Sequence, residues 1–73
     1  SSMVSGRKEW PELFEQSFHT ASRAIRAFDS RLRPYNARNG VENHMYDPFR
    51  VSCVTNNNDI VVEVPYYNYQ RWY

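Results

Sequence analysis

Apolar positions recur at Phe18, Ala21, Ile25 and Phe28, one stripe on a 3.6-residue period, and predict an amphipathic helix from Phe18 to about Phe28. Ser17 stands just ahead of it, where a hydroxyl can accept from an otherwise unpaired amide one turn in. His19, Arg23 and Arg26 fall off the stripe and face water, and Asp29-Ser30 ends the helix. The pattern then changes. Residues 31–38 alternate weakly, with Leu32 opposed to Arg31 and Arg33, and Pro34 confines them to an edge strand or an irregular extended run. Two β-branched runs, Val51 to Thr55 and Ile60 to Val64, flank the turn-forming Asn56-Asn57-Asn58-Asp59 and predict a hairpin stopped by Pro65.

Between these halves lies a stretch with neither period, Gly40 to Arg50. Gly at its start and Pro48 near its end mark it as a loop, and Asn39-Gly40 is a turn signal leading into it. Loops this long in a small compact domain usually carry function. Ahead of the helix, Pro11 forces Trp10 out of the α region, and Trp10 with Leu13 reads as an anchor on the core. Residues 1–8 are small and polar with two basic side chains and read as a loose arm; the domain proper then spans 9–65. Residues 66–73 form a densely aromatic tail that covers the exposed sheet or makes a subunit contact.

Composition narrows the function classes. A 73-residue chain makes one domain and buries only about 60% of its unfolded surface. Its one cysteine, Cys53, allows no intrachain disulfide and, in a strand facing inward, reads as an inert buried thiol. His19 and His44 lie far apart with no ligand spacing to Cys53, so no metal is expected, and His44 reads as a solvated loop residue. No serine has a histidine and an acid at a recognisable spacing; an enzyme is not expected, nor a cofactor. No apolar run approaches the ~20 residues that span a bilayer, so no membrane partner is expected. There is no charged-then-apolar leader within these residues, and secreted and cytoplasmic locations both stay open. Net charge is +1. Arg23, Arg26, Arg31, Arg33 and Arg38, with the aromatic tail, carry the ingredients for single-stranded nucleic acid, but a solvated face is the preferred reading.

Several short motifs stand in a recognisable order: Trp10-Pro11-Glu12-Leu13, Ser17 at the helix start, Arg50-Val51 opening a strand, an Asn-rich turn, and Val64-Pro65. In order and spacing they resemble the potato inhibitor I family of serine-protease inhibitors, over roughly Glu9 to Pro65. The resemblance implies an α+β fold, a single helix packed on a small mixed β-sheet with an exposed reactive-site loop. It places Met45 before the scissile bond and Tyr46 after it, with Asn43, His44 and Asp47 as protease-contacting loop residues. Arg50 matches the first of two arginines that brace the loop from below. Met is long, unbranched and apolar, so the implied partner is a serine protease of chymotrypsin, elastase or subtilisin type. The sequence departs from the family in four places. Ser52 stands where the second bracing arginine belongs; the segment from Met45 to Arg50 is one residue short; the run before Gly40 is Arg-rich; and the chain continues past the usual end. The shortened loop and Ser52 motivate an alternative, a non-inhibitory protein-binding module on the same fold that uses the loop or the tail.

Overall fold

A computed structural model of the chain describes residues 2–72, with the side chains of 71 and 72 excepted. Ser1 and Tyr73, the ends of the expected arm and tail, lie outside them. In order the elements are β1 (Met3–Glu9), a 3-10 turn (Pro11–Leu13), α1 (Phe18–Phe28), β2 (Arg33–Arg38), β3 (Arg50–Thr55) and β4 (Tyr66–Trp72). One helix packs on a small mixed sheet. β2 and β3 run parallel, with Arg33 opposite Arg50 and Arg38 opposite Thr55. β1 and β4 run antiparallel, with Met3 opposite Trp72 and Glu9 opposite Tyr66.

The helix forms where its stripe and cap place it. The Ser17 hydroxyl accepts from the Thr20 amide at 3.1 Å, a cap worth about 1 kcal/mol. Ala21 and Ile25 are fully buried against Leu32, Val51, Cys53 and Val61. A fully buried side chain such as Ile25 or Val51 contributes roughly 1.5–3 kcal/mol. Phe28 does not complete the stripe: it is 47% exposed and meets Trp10 edge-on, ring centroids 5.7 Å apart. Trp10 is the anchor expected, buried beside Leu13, with its amide donating to the Pro65 carbonyl at 3.0 Å.

Two expectations are corrected. The segment read as a loose arm is strand β1. It lacks an apolar face, but along one edge its backbone groups pair with β4, the segment read as a tail. Gly6 sits opposite Tyr69, whose ring fills the space a side chain would take. The second correction concerns the hairpin. The turn at 56–59 exists, held by Asn56 Oδ1, which accepts from the Asn58 and Ile60 amides. Beyond it the chain makes only bridges, Thr55 to Val61 and Ser17 to Ile60, instead of a second regular strand. The regular partner of β3 is β2, the Pro-containing run, whose Pro34 sits in the register opposite Val51.

That parallel pairing explains the long loop. A parallel pair cannot be closed by a tight turn. After β2, a six-residue strand of roughly 20 Å, the chain must travel the same distance back before β3 begins. It does so without a helix, as the extended loop between Arg38 and Arg50.

Candidate functional site

The loop is entered through a tight turn. Asn39 and Gly40 both have positive φ, 55° and 79°, and the Val41 amide closes on the Arg38 carbonyl at 3.1 Å. Two successive left-handed residues favour an Asn-Gly pair. Past the turn the chain leaves the body: Val41 is 69% exposed, Met45 75% and Tyr46 90%. His44 is exposed beside Met45.

The limb before Met45 is tied down by three side chains. The Asn43 amide donates to the Tyr35 hydroxyl at 3.0 Å. Asn43 Oδ1 accepts from Arg50 Nη2 at 2.7 Å and from the Met45 amide at 3.2 Å. Arg50 Nη1 stands 3.8 Å from Glu42 Oε1, the oxygen to which the Ser52 hydroxyl also donates. The Arg50 guanidinium lies 4.2 Å over the Tyr35 ring, and its side chain is only 16% exposed. A planar cation stacked on an aromatic face, with its donors aimed sideways, is held in one orientation.

A different set holds the limb after Tyr46. Asp47 Oδ1 accepts from the Phe49 amide at 2.9 Å, and Asp47 Oδ2 stands 3.6 Å from Arg33 Nη1. The Arg50 amide donates to the Asp47 carbonyl at 3.1 Å and the Arg33 amide to the Phe49 carbonyl at 2.8 Å. The Tyr67 hydroxyl, from β4, donates to the Pro48 carbonyl at 3.0 Å. Met45 and Tyr46 therefore cap a segment fixed on both sides to separate elements of the body.

The sequence-derived site residues divide accordingly. His44, Met45 and Tyr46 stand at the tip, and Arg50 lies beneath. Asn43, which is exposed, and Asp47, which is half-buried, also use their side-chain oxygens as supports within the loop. Ser52 does not leave an empty place, since its hydroxyl joins Glu42 to the same cluster. Tyr35, Glu42, Arg33 and Tyr67 are supports that the sequence did not single out. The arginine run is largely neutralised: Arg31 pairs with Asp29 at 2.8 Å, Arg33 with Asp47, and Arg38 with Asp59 at 2.6 Å. Among the described residues no group of three His, Cys, Asp or Glu is placed to hold a metal ion. Burial pushes the Cys53 thiol up to about 11, so it is no nucleophile at neutral pH.

A search of curated proteins returns no significant match. Among solved structures, the fold is similar to the crystal structure of bitter gourd trypsin inhibitor. The TM-score is 0.70 at 22% identity, over 81% of this chain and 88% of that one. A protein-family model described as the potato inhibitor I family matches residues 3–67, nearly the whole chain, strand β1 included. By that match the chain belongs to the potato inhibitor I family, a family of inhibitors and not of enzymes.

Proposed function

We propose that this protein inhibits a serine protease by presenting Met45–Tyr46 to the catalytic cleft as a substrate is presented. The observation that carries the reading is the pairing of an exposed tip with two pinned limbs. An extended segment can add to a protease cleft as a strand, through main-chain hydrogen bonds and alternate side-chain pockets. Met45 is the apolar side chain offered to the primary specificity pocket. Pinning the limbs beforehand removes ordering entropy that a flexible peptide would lose on binding. Membership of an inhibitor family supports the same conclusion.

The partner class follows from Met45. An uncharged, flexible side chain suits the apolar pockets of chymotrypsin-, elastase- and subtilisin-type enzymes and offers nothing to the acidic pocket of a trypsin-type enzyme. Such complexes bury about 1,600 Å² in total. The test is a titration of the protein against chymotrypsin, elastase, subtilisin and trypsin. Tight inhibition of at least one of the first three, with trypsin inhibited least, is expected. No inhibition of any of them would overturn the proposal and favour the non-inhibitory binding module.

A further inference from the structure

We infer that Tyr67 is a positioning residue for inhibition: its hydroxyl holds the limb that becomes the leaving half when Met45–Tyr46 is hydrolysed. This rests on the proposed function and deepens it. Hydrolysis adds one water across the peptide bond, leaving a carboxylate on Met45 and an amine on Tyr46. Before that water enters, the Met45 carbonyl is an ester on the protease serine and the Tyr46 amine is already free; if the two ends stay in register, the amine attacks the ester, re-forms the peptide bond and releases the serine. The two limbs therefore need separate anchors.

The anchors differ in kind. The limb before the bond is held by Tyr35 and Arg50, through Asn43 and Glu42. Arg50 itself lies after the bond, so its contact to Asn43 at 2.7 Å ties one half to the other. The limb after the bond is held at Asp47 and Phe49 by Arg33, and at Pro48 by Tyr67. Of these, Tyr67 alone comes from β4, and the bond it makes ends on the main-chain carbonyl of Pro48. Its ring packs against the core, which fixes where the hydroxyl points. The pinning of β4 by β1 over Met3–Glu9 thus reaches the loop through one phenol. With Ser52 in place of a long cationic side chain, β3 supplies one guanidinium, that of Arg50; β2 supplies Arg33, and β4 adds the Tyr67 hydroxyl.

The test uses Tyr67→Phe, which keeps the ring and removes the hydroxyl, beside Tyr66→Phe as a control from the same strand. Each protein is incubated with catalytic subtilisin until the intact and cleaved forms reach equilibrium, approached from both sides. Inhibition constants and urea unfolding midpoints are measured in parallel. Tyr67→Phe is expected to raise the cleaved-to-intact ratio about threefold to tenfold, the size of one hydrogen bond, while the midpoint moves no more than in Tyr66→Phe. An unchanged ratio in Tyr67→Phe, with wild type inhibiting, overturns the role of Tyr67 alone. A ratio that changes only in proportion to the unfolding midpoint also overturns it, by showing a structural role. Wild type that neither inhibits nor reaches such an equilibrium overturns the proposed function as well.

Discussion

Arg50 and Asn43 sit on opposite sides of Met45–Tyr46 and are joined side chain to side chain at 2.7 Å, so one contact closes the loop across its own tip. The bond is charge-assisted, and the guanidinium is stacked on Tyr35 and largely shielded from water. The same Asn43 oxygen accepts from the Met45 amide, which links the brace directly to the residue proposed to enter a protease pocket.

Replacing Arg50 by Ala removes this closure together with the approach to Glu42. Inhibition is expected to weaken about tenfold to a hundredfold, the range for a lost charged hydrogen bond, with faster cleavage at Met45–Tyr46. Arg50→Lys should recover only part of the loss, because an ammonium cannot form the planar fork. Inhibition constants and cleavage rates for the two variants check this, and an Arg50→Ala protein as tight and as intact as wild type would contradict it.

Gly6 faces Tyr69, and a Cβ there would run into the phenol oxygen. Gly6→Ala must swing the ring away, and the expected cost is about 1 kcal/mol, the low end for overpacking because a side chain rather than backbone has to move. Amide exchange should quicken in β1 and β4 and stay unchanged in α1. Equal exchange in all three would show that the ribbon does not depend on this close approach.

Alkaline stability should reflect Cys53. Its thiol ionises at about 11 in the fold against an ordinary 9.0, raised by burial. Between those values the unfolded chain has lost the proton and the folded chain has kept it. Stability is therefore whole below pH 9 and falls as pH rises through that window. Urea midpoints from pH 8 to 11 should decline in wild type and decline less in Cys53→Ala, measured against its own neutral value.

At the acid end the relevant group is Asp59. Hydrogen bonds from Asn36 and then Arg38 lower its pKa beneath the ordinary 3.8. The folded carboxylate thus holds its charge to lower pH than the unfolded one. The stability it contributes is present above the ordinary value and fades as pH falls through the lower one. Asp59→Asn should flatten that part of the stability profile, and an unchanged acid limb would exclude Asp59 as its source.

What could be read from the chain was local. The Ser17 cap and the stripe through Ala21 and Ile25 lie within one helix and gave its ends correctly. Phe28 misled because a helix's last turn can face the rim of the core as easily as its centre. The loop was legible from Asn39-Gly40 and from the absence of any period after it. Contacts distant in sequence were not. β1 carries no alternating pattern because its order comes from β4, at the other end of the chain. The hairpin expectation followed the turn at 56–59, whereas the regular partner of β3 is β2, reached in parallel across the long loop. Among the supports, Arg50 was recognisable through family resemblance. Tyr67 looked like one more aromatic in a tail, and nothing in its neighbours signals a bond to Pro48.

The most direct measurement is a long incubation of wild type and Met45→Asp with catalytic amounts of chymotrypsin, elastase and subtilisin, following inhibition and mapping cleavage by mass spectrometry. The account predicts that wild type inhibits and is cut slowly at Met45–Tyr46 alone, and that Met45→Asp loses inhibition while staying folded. Cleavage elsewhere in an inhibiting wild type, or undiminished inhibition by Met45→Asp, would contradict it.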